Sequence, residues 1–190
     1  ADKLENYNGL LRALFSAGIQ KVSHNVKDLM RALLEEGLST EGFRFDTALA
    51  AYLLSPTDGS YDLEKLSMSY FNQEVPKAAE YLGKDAFGPL SDPTAPNLAM
   101  VRQLGLIEGL YQALPPKLEE LGMTALYREV ELPLCPVLAE MEQAGFLVDL
   151  KALADFGVML DQRIQSDEAA IYELAGERFN INSTQQLGHI

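Results

Sequence analysis

The sequence predicts a mainly α-helical protein with a small β portion. Apolar residues recur at three- and four-residue spacing over most of the 190 residues, which is the helical period. Only residues 19–23 and 43–45 have the short, extended character of strands. Hydrophobic residues make up 47% of the chain and charged residues 23%, which is ordinary for a globular protein.

The first part of the chain alternates helices and strands. Gly37 follows one apolar-periodic segment and can end a helix. Asp46 and Asp62 each precede such a segment and are expected to cap a helix rather than bind a metal. The predicted elements up to residue 71 are helices over residues 4–16, 25–36, 47–54 and 63–71 and strands over residues 19–23 and 43–45.

The middle of the chain is predicted to be a loop followed by one helix. Residues 73–97 contain four prolines and two glycines, so we expect a loop with a short helix near residues 77–82. Pro115 and Pro116 have no amide hydrogen, so they are expected to end the helix that begins near Asn97. The apolar residues expected to be buried on this helix are Leu98, Val101, Leu104, Ile107 and Leu110 or Tyr111.

Residues 127–149, with the sequence YREVELPLCPVLAEMEQAGFLVD, form the most informative stretch. Pro133 and Pro136 predict that this helix is kinked or begins only after them. Gly145 offers the positive φ that ends a helix, and Asp149 can cap the next one. The apolar face predicted from the helical period consists of Leu126, Val130, Leu134, Val137, Leu138 and Met141.

The last part of the chain predicts the longest helix, over residues 150–175, which would span roughly 40 Å. Gly176 is expected to end it. Ser183 and Gln186 form an S-x-x-Q pattern, which predicts a capping box at the start of a final helix. The helical period places Leu153, Phe156, Leu160, Ile164, Ile171 and Leu174 on one stripe of the long helix.

Charge and cysteine content narrow the function classes. Fifteen basic and 28 acidic residues give a net charge of −13, so the chain by itself should bind DNA poorly. Cys135 is the single cysteine, which excludes an internal disulfide and fits a buried apolar role in a reducing cytoplasm. No apolar run is long enough for a membrane span, and no signal peptide is evident. Because the first residue is Ala1, we interpret the chain as a cut or processed product.

Two sequence patterns resemble the A family of bacterial DNA polymerases, the DNA polymerase I family. There, the junction between the 3′–5′ exonuclease and polymerase domains reads E-x-P-L-x-P-V-L-x-x-M-E-x-x-G-x-x-[VI]-D, which residues 131–149 match. Residues 179–187, FNINSTQQL, match the later pattern F-N-[IL]-[NS]-S-[PT]-K-Q-L. Residues 21–37 and 43–71 also resemble the family's exonuclease domain, so the resemblance covers nearly everything except residues 73–97.

The resemblance implies a truncated ribonuclease H-like (α/β) exonuclease-type domain followed by a long helical thumb hairpin. It divides the chain into residues 1–125, a partial and catalytically silent exonuclease-like domain, and residues 126–190, the junction helix and first part of the thumb.

The exonuclease motifs are degenerate in this chain. Active members hold two metal ions with four carboxylates, two of them on a strand that would precede Ala1. In the second motif, N-x-x-x-D, Asn25 matches, but Leu29 occupies the aspartate position and Asp28 lies one residue early. No aspartate occurs between residues 93 and 148, where the third motif would lie. We therefore expect no catalytic residue and no metal site; His24 and His189 have no ligand cluster beside them.

The resemblance also implies a role in holding DNA. In the family the thumb lies along the minor groove of the product duplex, and the tip positions here are Asn180, Asn182, Ser183, Thr184 and Gln185. Gln185 stands where the family usually has Lys, which weakens the expected grip; capping of the last helix is an equally good interpretation of these polar residues. The polymerase aspartates, the fingers helix and the Mg²⁺ of the full polymerase would lie beyond Ile190.

Two hypotheses of different class therefore remain. In the first, the chain is part of a DNA-directed DNA polymerase, acts as scaffold and duplex-holding thumb, and has duplex DNA and the rest of the polymerase as partners. In the second, it is a free-standing helical protein-interaction module derived from the exonuclease-like fold, which the net charge of −13 favours. Because a sheet without its first strands exposes an edge, self-association is also expected. No membrane partner is expected, and the predicted location is cytoplasmic.

Overall fold

A computed structural model describes residues 6–75 and 94–190 of the chain. The chain divides into two compact units, residues 1–145 and residues 146–190. The predicted boundary between residues 125 and 126 separates two functional domains. The division into compact units does not test it, so it stays a prediction. The short helix expected near residues 77–82 lies outside the described residues.

A parallel β–α–β unit forms the start of the first compact unit. Strand β1 (Lys21–Ser23) and strand β2 (Phe43–Asp46) pair in parallel, with Val22 opposite Phe45. Helix α2 (Val26–Glu35) makes the crossover and buries Val26, Met30 and Leu33. The mainly α-helical fold with a small β portion is confirmed. Helix α1 (Tyr7–Leu14) precedes the unit and buries no residue, and its Leu10 and Leu14 side chains are exposed.

Asp46 joins the sheet to two helices. Its Oδ1 accepts hydrogen bonds from the amides of Ala48 and Leu49, at 2.9 and 3.3 Å, and so caps helix α3 (Thr47–Leu54) as predicted. The same carboxylate accepts from the amides at the start of α2: Asn25 N to Oδ1 at 3.1 Å and Val26 N to Oδ2 at 2.7 Å. Two helix N-termini therefore share one buried side chain, which satisfies four amides that their own helices cannot.

Helix α4 (Leu63–Phe71) has the predicted bounds, but the predicted cap at Asp62 is wrong. The Asp62 side chain makes no capping hydrogen bond; its Oδ2 accepts from the Ser60 hydroxyl at 2.6 Å. The Asp62 carboxylate therefore accepts a hydrogen bond from Ser60 and not from the first amides of the helix.

Helix α5 runs from Thr94 to Glu120, through Pro115 and Pro116, so the predicted break at these prolines is wrong. Residues spaced four apart on this helix, including Leu114 and Leu118 on either side of the prolines, are 0–7% exposed. Because burial of this row stabilises the chain on both sides of the prolines, the helix continues although two amide donors are missing. Leu98, Val101 and Leu104 are exposed, contrary to prediction. The buried row comprises Leu106, Leu110, Leu114 and Leu118.

The junction stretch begins with a helical turn, α6 (Thr124–Leu126), and a π-helical turn (Tyr127–Glu131), followed by helix α7 (Leu132–Ala144). The helix therefore begins before Pro133, which excludes a start after the prolines; the alternative, a kink at the prolines, stays a prediction. In the π-turn the Leu132 amide donates to the Tyr127 carbonyl, five residues back.

The apolar face predicted for this stretch faces solvent. Leu126, Val130, Leu134, Val137, Leu138 and Met141 are all exposed. Tyr127, Cys135 and Ala139 are buried instead. On a regular α-helix, the side chains of Tyr127 and Cys135 would point about 80° apart around the helix axis. The extra residue in the π-turn changes this angle by about 100°, which brings both side chains to the same side of the stretch. The small side chains at Cys135 and Ala139 pack with Val26 and Met30 of α2, and Gly145 (φ 63) ends the helix as predicted.

The second compact unit contains the long helix α8 (Leu150–Ala175), whose predicted bounds and cap are confirmed: Asp149 Oδ1 accepts from the Ala152 amide at 2.9 Å. Gly176 follows with φ 76. No residue of α8 is buried, so its predicted apolar stripe faces solvent. None of the helices in residues 6–75 and 94–190 combines the length and apolarity needed to cross a membrane.

Replacing Asp46 by Ala tests the shared cap. We expect Asp46→Ala to lower the free energy of unfolding by about 3 kcal/mol, because four amides lose their acceptor. Asp62→Ala is the matched control at another helix start and should change it by less than about 0.5 kcal/mol. Urea unfolding followed by circular dichroism measures both. Equal losses in the two variants would contradict the shared-cap account.

Candidate functional site

The degenerate exonuclease motif lies at the start of α2. Asn25, directly before the helix, has φ 55, and its backbone amide donates to Asp46. Asp28 is exposed and lies 3.2 Å from Lys27 Nζ, whereas Leu29 is half-buried. Asn25, Asp28 and Asp46 line one pocket of about 290 Å³, and Leu29 does not. The structure therefore brings two of the three degenerate motif positions to one pocket.

Asp46 is the buried acid of this pocket, and backbone amides occupy both of its oxygens. Burial raises the pKa of the Asp46 carboxyl above its ordinary value, although hydrogen bonds from Val26, Leu49 and Ala48 act in the opposite direction. A carboxylate used in this way is a structural acceptor. The predicted capping role is confirmed.

Tyr127, in the junction stretch, holds the backbone of Asp46, a contact that sequence reasoning missed. Its hydroxyl accepts from the Asp46 amide at 2.6 Å and donates to the Asp46 carbonyl at 3.2 Å. The Tyr127 ring is 1% exposed, and burial raises the pKa of its hydroxyl. The 81-residue separation leaves no local signal of this pairing in the sequence.

His24 adjoins the motif and packs against α3. Its Nδ1 lies 2.9 Å from Thr47 Oγ1. Burial lowers the pKa of His24, although the negative charges of Asp46, Asp62 and Glu64 oppose this. Among the described residues, no three His, Cys, Asp or Glu side chains come together as they would to hold a metal ion.

Cys135, on α7, also lines the pocket and is 6% exposed. Burial raises the pKa of the Cys135 thiol to about 11, and the negative charge of Asp46 contributes. The predicted buried, apolar role of this cysteine is confirmed. Lys27, which also lines the pocket, has its Nζ 2.5 Å from Glu142 Oε1, an ion pair between α2 and α7 that sequence reasoning did not find.

The predicted DNA-binding residues lie in the second unit, at the start of helix α9 (Thr184–Leu187). Ser183 Oγ accepts from the Gln186 amide at 3.3 Å, which is one half of the predicted capping box. The other half is wrong, because Gln186 Oε1 accepts from the Asn180 amide at 2.8 Å and not from Ser183. Asn180 Oδ1 accepts from the Asn182 amide at 3.1 Å. Thr184 and Gln185 are exposed.

Comparison with known proteins places this geometry in a family. The family model described as "DNA polymerase I, ribonuclease H-like domain" matches residues 2–103. DNA polymerase I of Geobacillus stearothermophilus is 36% identical over 173 residues, which cover 90% of this chain and 20% of that protein. DNA polymerase I of Bacillus caldotenax is 39% identical over 160 residues, 84% of this chain and 18% of that protein.

A solved structure matches the fold over most of the chain. The polymerase domain of Pol1 from M. smegmatis, in complex with DNA primer-template and dNTP, aligns with a TM-score of 0.68 and 29% identity. The alignment covers 98% of this chain and 30% of that one. The chain thus spans about a fifth of the length of the curated relatives and under a third of this solved chain.

The first part of the chain is therefore a ribonuclease H-like domain of the kind found in DNA polymerases. The chain belongs to the DNA polymerase I family, as its two sequence patterns predicted.

Mild acid tests the environment of His24. Because burial lowers its pKa in the folded state, the unfolded chain binds the proton more readily, and stability falls as the pH drops through about 6.5. We expect the free energy of unfolding to fall by roughly 0.5 kcal/mol between about pH 7.5 and about pH 6. His24→Gln should flatten this dependence in urea titrations. A His24→Gln variant with the original pH dependence would contradict the assignment.

Thiol labelling tests the burial of Cys135. With its pKa raised by burial to about 11, the thiol supplies little thiolate at neutral pH. Its reaction with a disulfide reagent in the folded chain should be at least about 100-fold slower than in the urea-unfolded chain. The rate is read from the absorbance of the released thiol. Similar rates in the folded and unfolded states would show that the α2–α7 packing opens readily.

Proposed function

We propose that this chain acts within a DNA-directed DNA polymerase as a structural scaffold and as part of the thumb that holds duplex DNA, without 3′–5′ exonuclease activity. Family membership supports the polymerase context, and the primer-template in the complex of the M. smegmatis relative supports duplex DNA as the partner. A cytoplasmic location and association with the rest of the polymerase belong to the same proposal.

The observation that carries the exonuclease-silent part is the chemistry around Asn25. Of the acids near it, Asp28 pairs with Lys27, and Asp46 is saturated by four backbone amides. Leu29 occupies the position where the family has a metal-binding aspartate. The donor set at this place therefore does not fit the pair of Mg²⁺ ions that such exonucleases use, and we derive no step through a metal.

The duplex-holding part rests on the start of α9. Ser183 and Asn180 use their side-chain oxygens within the turn, which leaves the helix-start amides of Thr184 and Gln185 for an external acceptor. Amides and hydroxyls of this kind contact phosphates without reading sequence. From Tyr127 onward the chain carries four basic and eleven acidic residues, so we expect the grip of this segment alone to be weak.

Metal titration tests the silent site. Calorimetric titration of the chain with Mg²⁺ or Mn²⁺ should give no stoichiometric binding, because Asp28 and Asp46 are already engaged. The full-length product of the gene should leave the 3′ end of single-stranded DNA intact. One-site binding that Asp28→Asn abolishes and Asp58→Asn preserves would overturn the exonuclease-silent proposal.

A charge substitution tests the thumb tip. Gln185→Lys restores the cation common in the family and should steepen the salt dependence of duplex DNA affinity by about 0.9 in log–log slope. Gln165→Lys adds the same charge on α8 and should have a smaller effect. Fluorescence anisotropy with a labelled duplex measures both variants. Equal changes in slope would indicate general electrostatics and would contradict the tip assignment.

The length of the natural protein tests the polymerase context. Sequencing of the gene, or the intact mass of the protein before any proteolysis, should reveal polymerase motifs beyond Ile190. A natural end near Ile190 would overturn the proposal and favour the protein-interaction module.

A further inference from the structure

The π-helical turn at Tyr127–Glu131 connects two buried contacts of the junction stretch. At its start, the Tyr127 hydroxyl accepts a hydrogen bond from the Asp46 amide at 2.6 Å and donates one to the Asp46 carbonyl at 3.2 Å. After it, Cys135 and Ala139 pack against α2. Both contacts are internal to the first compact unit, so they do not depend on what lies against its surface.

The two contacts can coexist only because of the turn. In a regular α-helix the side chains of Tyr127 and Cys135 would point in directions too far apart for one to reach Asp46 while the other packs on α2. A π-turn is rare, because its hydrogen bonds span five residues and its geometry is less favourable than that of an α-helix. A specific group must therefore hold residues 127–131 in this form, and the structure offers a tertiary and a local candidate.

The local candidate is Pro133, which directly follows the first residue of α7. It has no amide hydrogen for the carbonyl of Glu129, and in a regular helix its ring would clash with that carbonyl. Other prolines of the chain nevertheless lie inside α-helices: α5 runs through Pro115 and Pro116, and α7 contains Pro136. A proline alone therefore does not produce a π-turn in this protein, which favours the tertiary contact at Tyr127 as the cause.

We propose that residues 127–131 form a two-state conformational element, which the Tyr127–Asp46 contact holds in the π form. Without this contact the residues take a regular α-helical register, which rotates the two ends of the junction stretch relative to each other by about 100°. Asp46 also accepts from amides at the starts of α2 and α3, so a change at these helix starts reaches the junction through Tyr127. The inference does not depend on the polymerase proposal.

Scalar couplings across hydrogen bonds, measured by NMR on the isotope-labelled 190-residue chain, provide the test because they identify the carbonyl that accepts each amide. In the unsubstituted chain the Leu132 amide should couple to the carbonyl of Tyr127, five residues back. In Tyr127→Ala the coupling should move to Arg128, four residues back, because the side chain that holds the turn is removed. Tyr111→Ala is the matched control and should leave the coupling in place, since Tyr111 packs against the same Phe45 ring, at 5.2 Å, from α5.

Pro133→Ala separates the tertiary cause from the local one. Pro133 is exposed, so this variant should remain folded, and its Leu132 amide should still couple to residue 127. A coupling that moves to Arg128 in Pro133→Ala, or that stays at residue 127 in Tyr127→Ala, would overturn the proposal. A coupling that moves equally in Tyr111→Ala would also overturn it. If circular dichroism shows that Tyr127→Ala does not fold, Tyr127→Phe replaces it, because this variant keeps the ring and loses both hydrogen bonds to Asp46. An unchanged coupling in Tyr127→Phe would then overturn the proposal.

Discussion

The buried carboxylate of Asp46 is the group on which the packing of the first compact unit depends. It satisfies amides at the starts of α2 and α3, and its backbone is held in turn by the Tyr127 hydroxyl. A single acid thus connects the crossover helix, the second strand and the junction stretch. Its burial raises its pKa, a cost that the four amide hydrogen bonds offset. The same hydrogen bonds engage both oxygens of Asp46, so the packing of the fold and the proposed lack of exonuclease chemistry at the neighbouring pocket would have one cause.

Local patterns in the sequence predicted much of the fold. The bounds of α3, α4 and α8 and the caps at Asp46 and Asp149 follow from short-range signals: a capping acid, a helical period and a terminating glycine or proline. The errors arise where tertiary packing decides. α5 continues through Pro115 and Pro116 because Leu114 and Leu118 are both buried. The apolar helix α7 offers several possible faces, and its inner face is the one with small residues, where α2 can approach closely.

The candidate site could be predicted only in part. Asn25, Asp28 and Leu29 follow from motif spacing, and the structure brings Asn25 and Asp28 to the pocket. The pocket itself, the Tyr127 contact and the Lys27–Glu142 ion pair join residues about 80 to 115 positions apart, which no local period reveals. The polar residues at the start of α9 show the opposite situation: their sequence pattern is clear, yet half of the expected capping geometry is replaced by the Gln186–Asn180 hydrogen bond.

The π-helical turn at Tyr127–Glu131 has a consequence for how chains of this kind can diverge. It holds one residue more than an α-helical turn would, so a single deletion there could be absorbed as a regular helix without breaking the chain. Such a deletion would nevertheless rotate everything after it by about 100° about the helix axis. The turn therefore sets the rotation of α7 about its axis, and with it the side of α7 that meets α2. A relative one residue shorter at this point would bury a different row of side chains and display another to its surroundings.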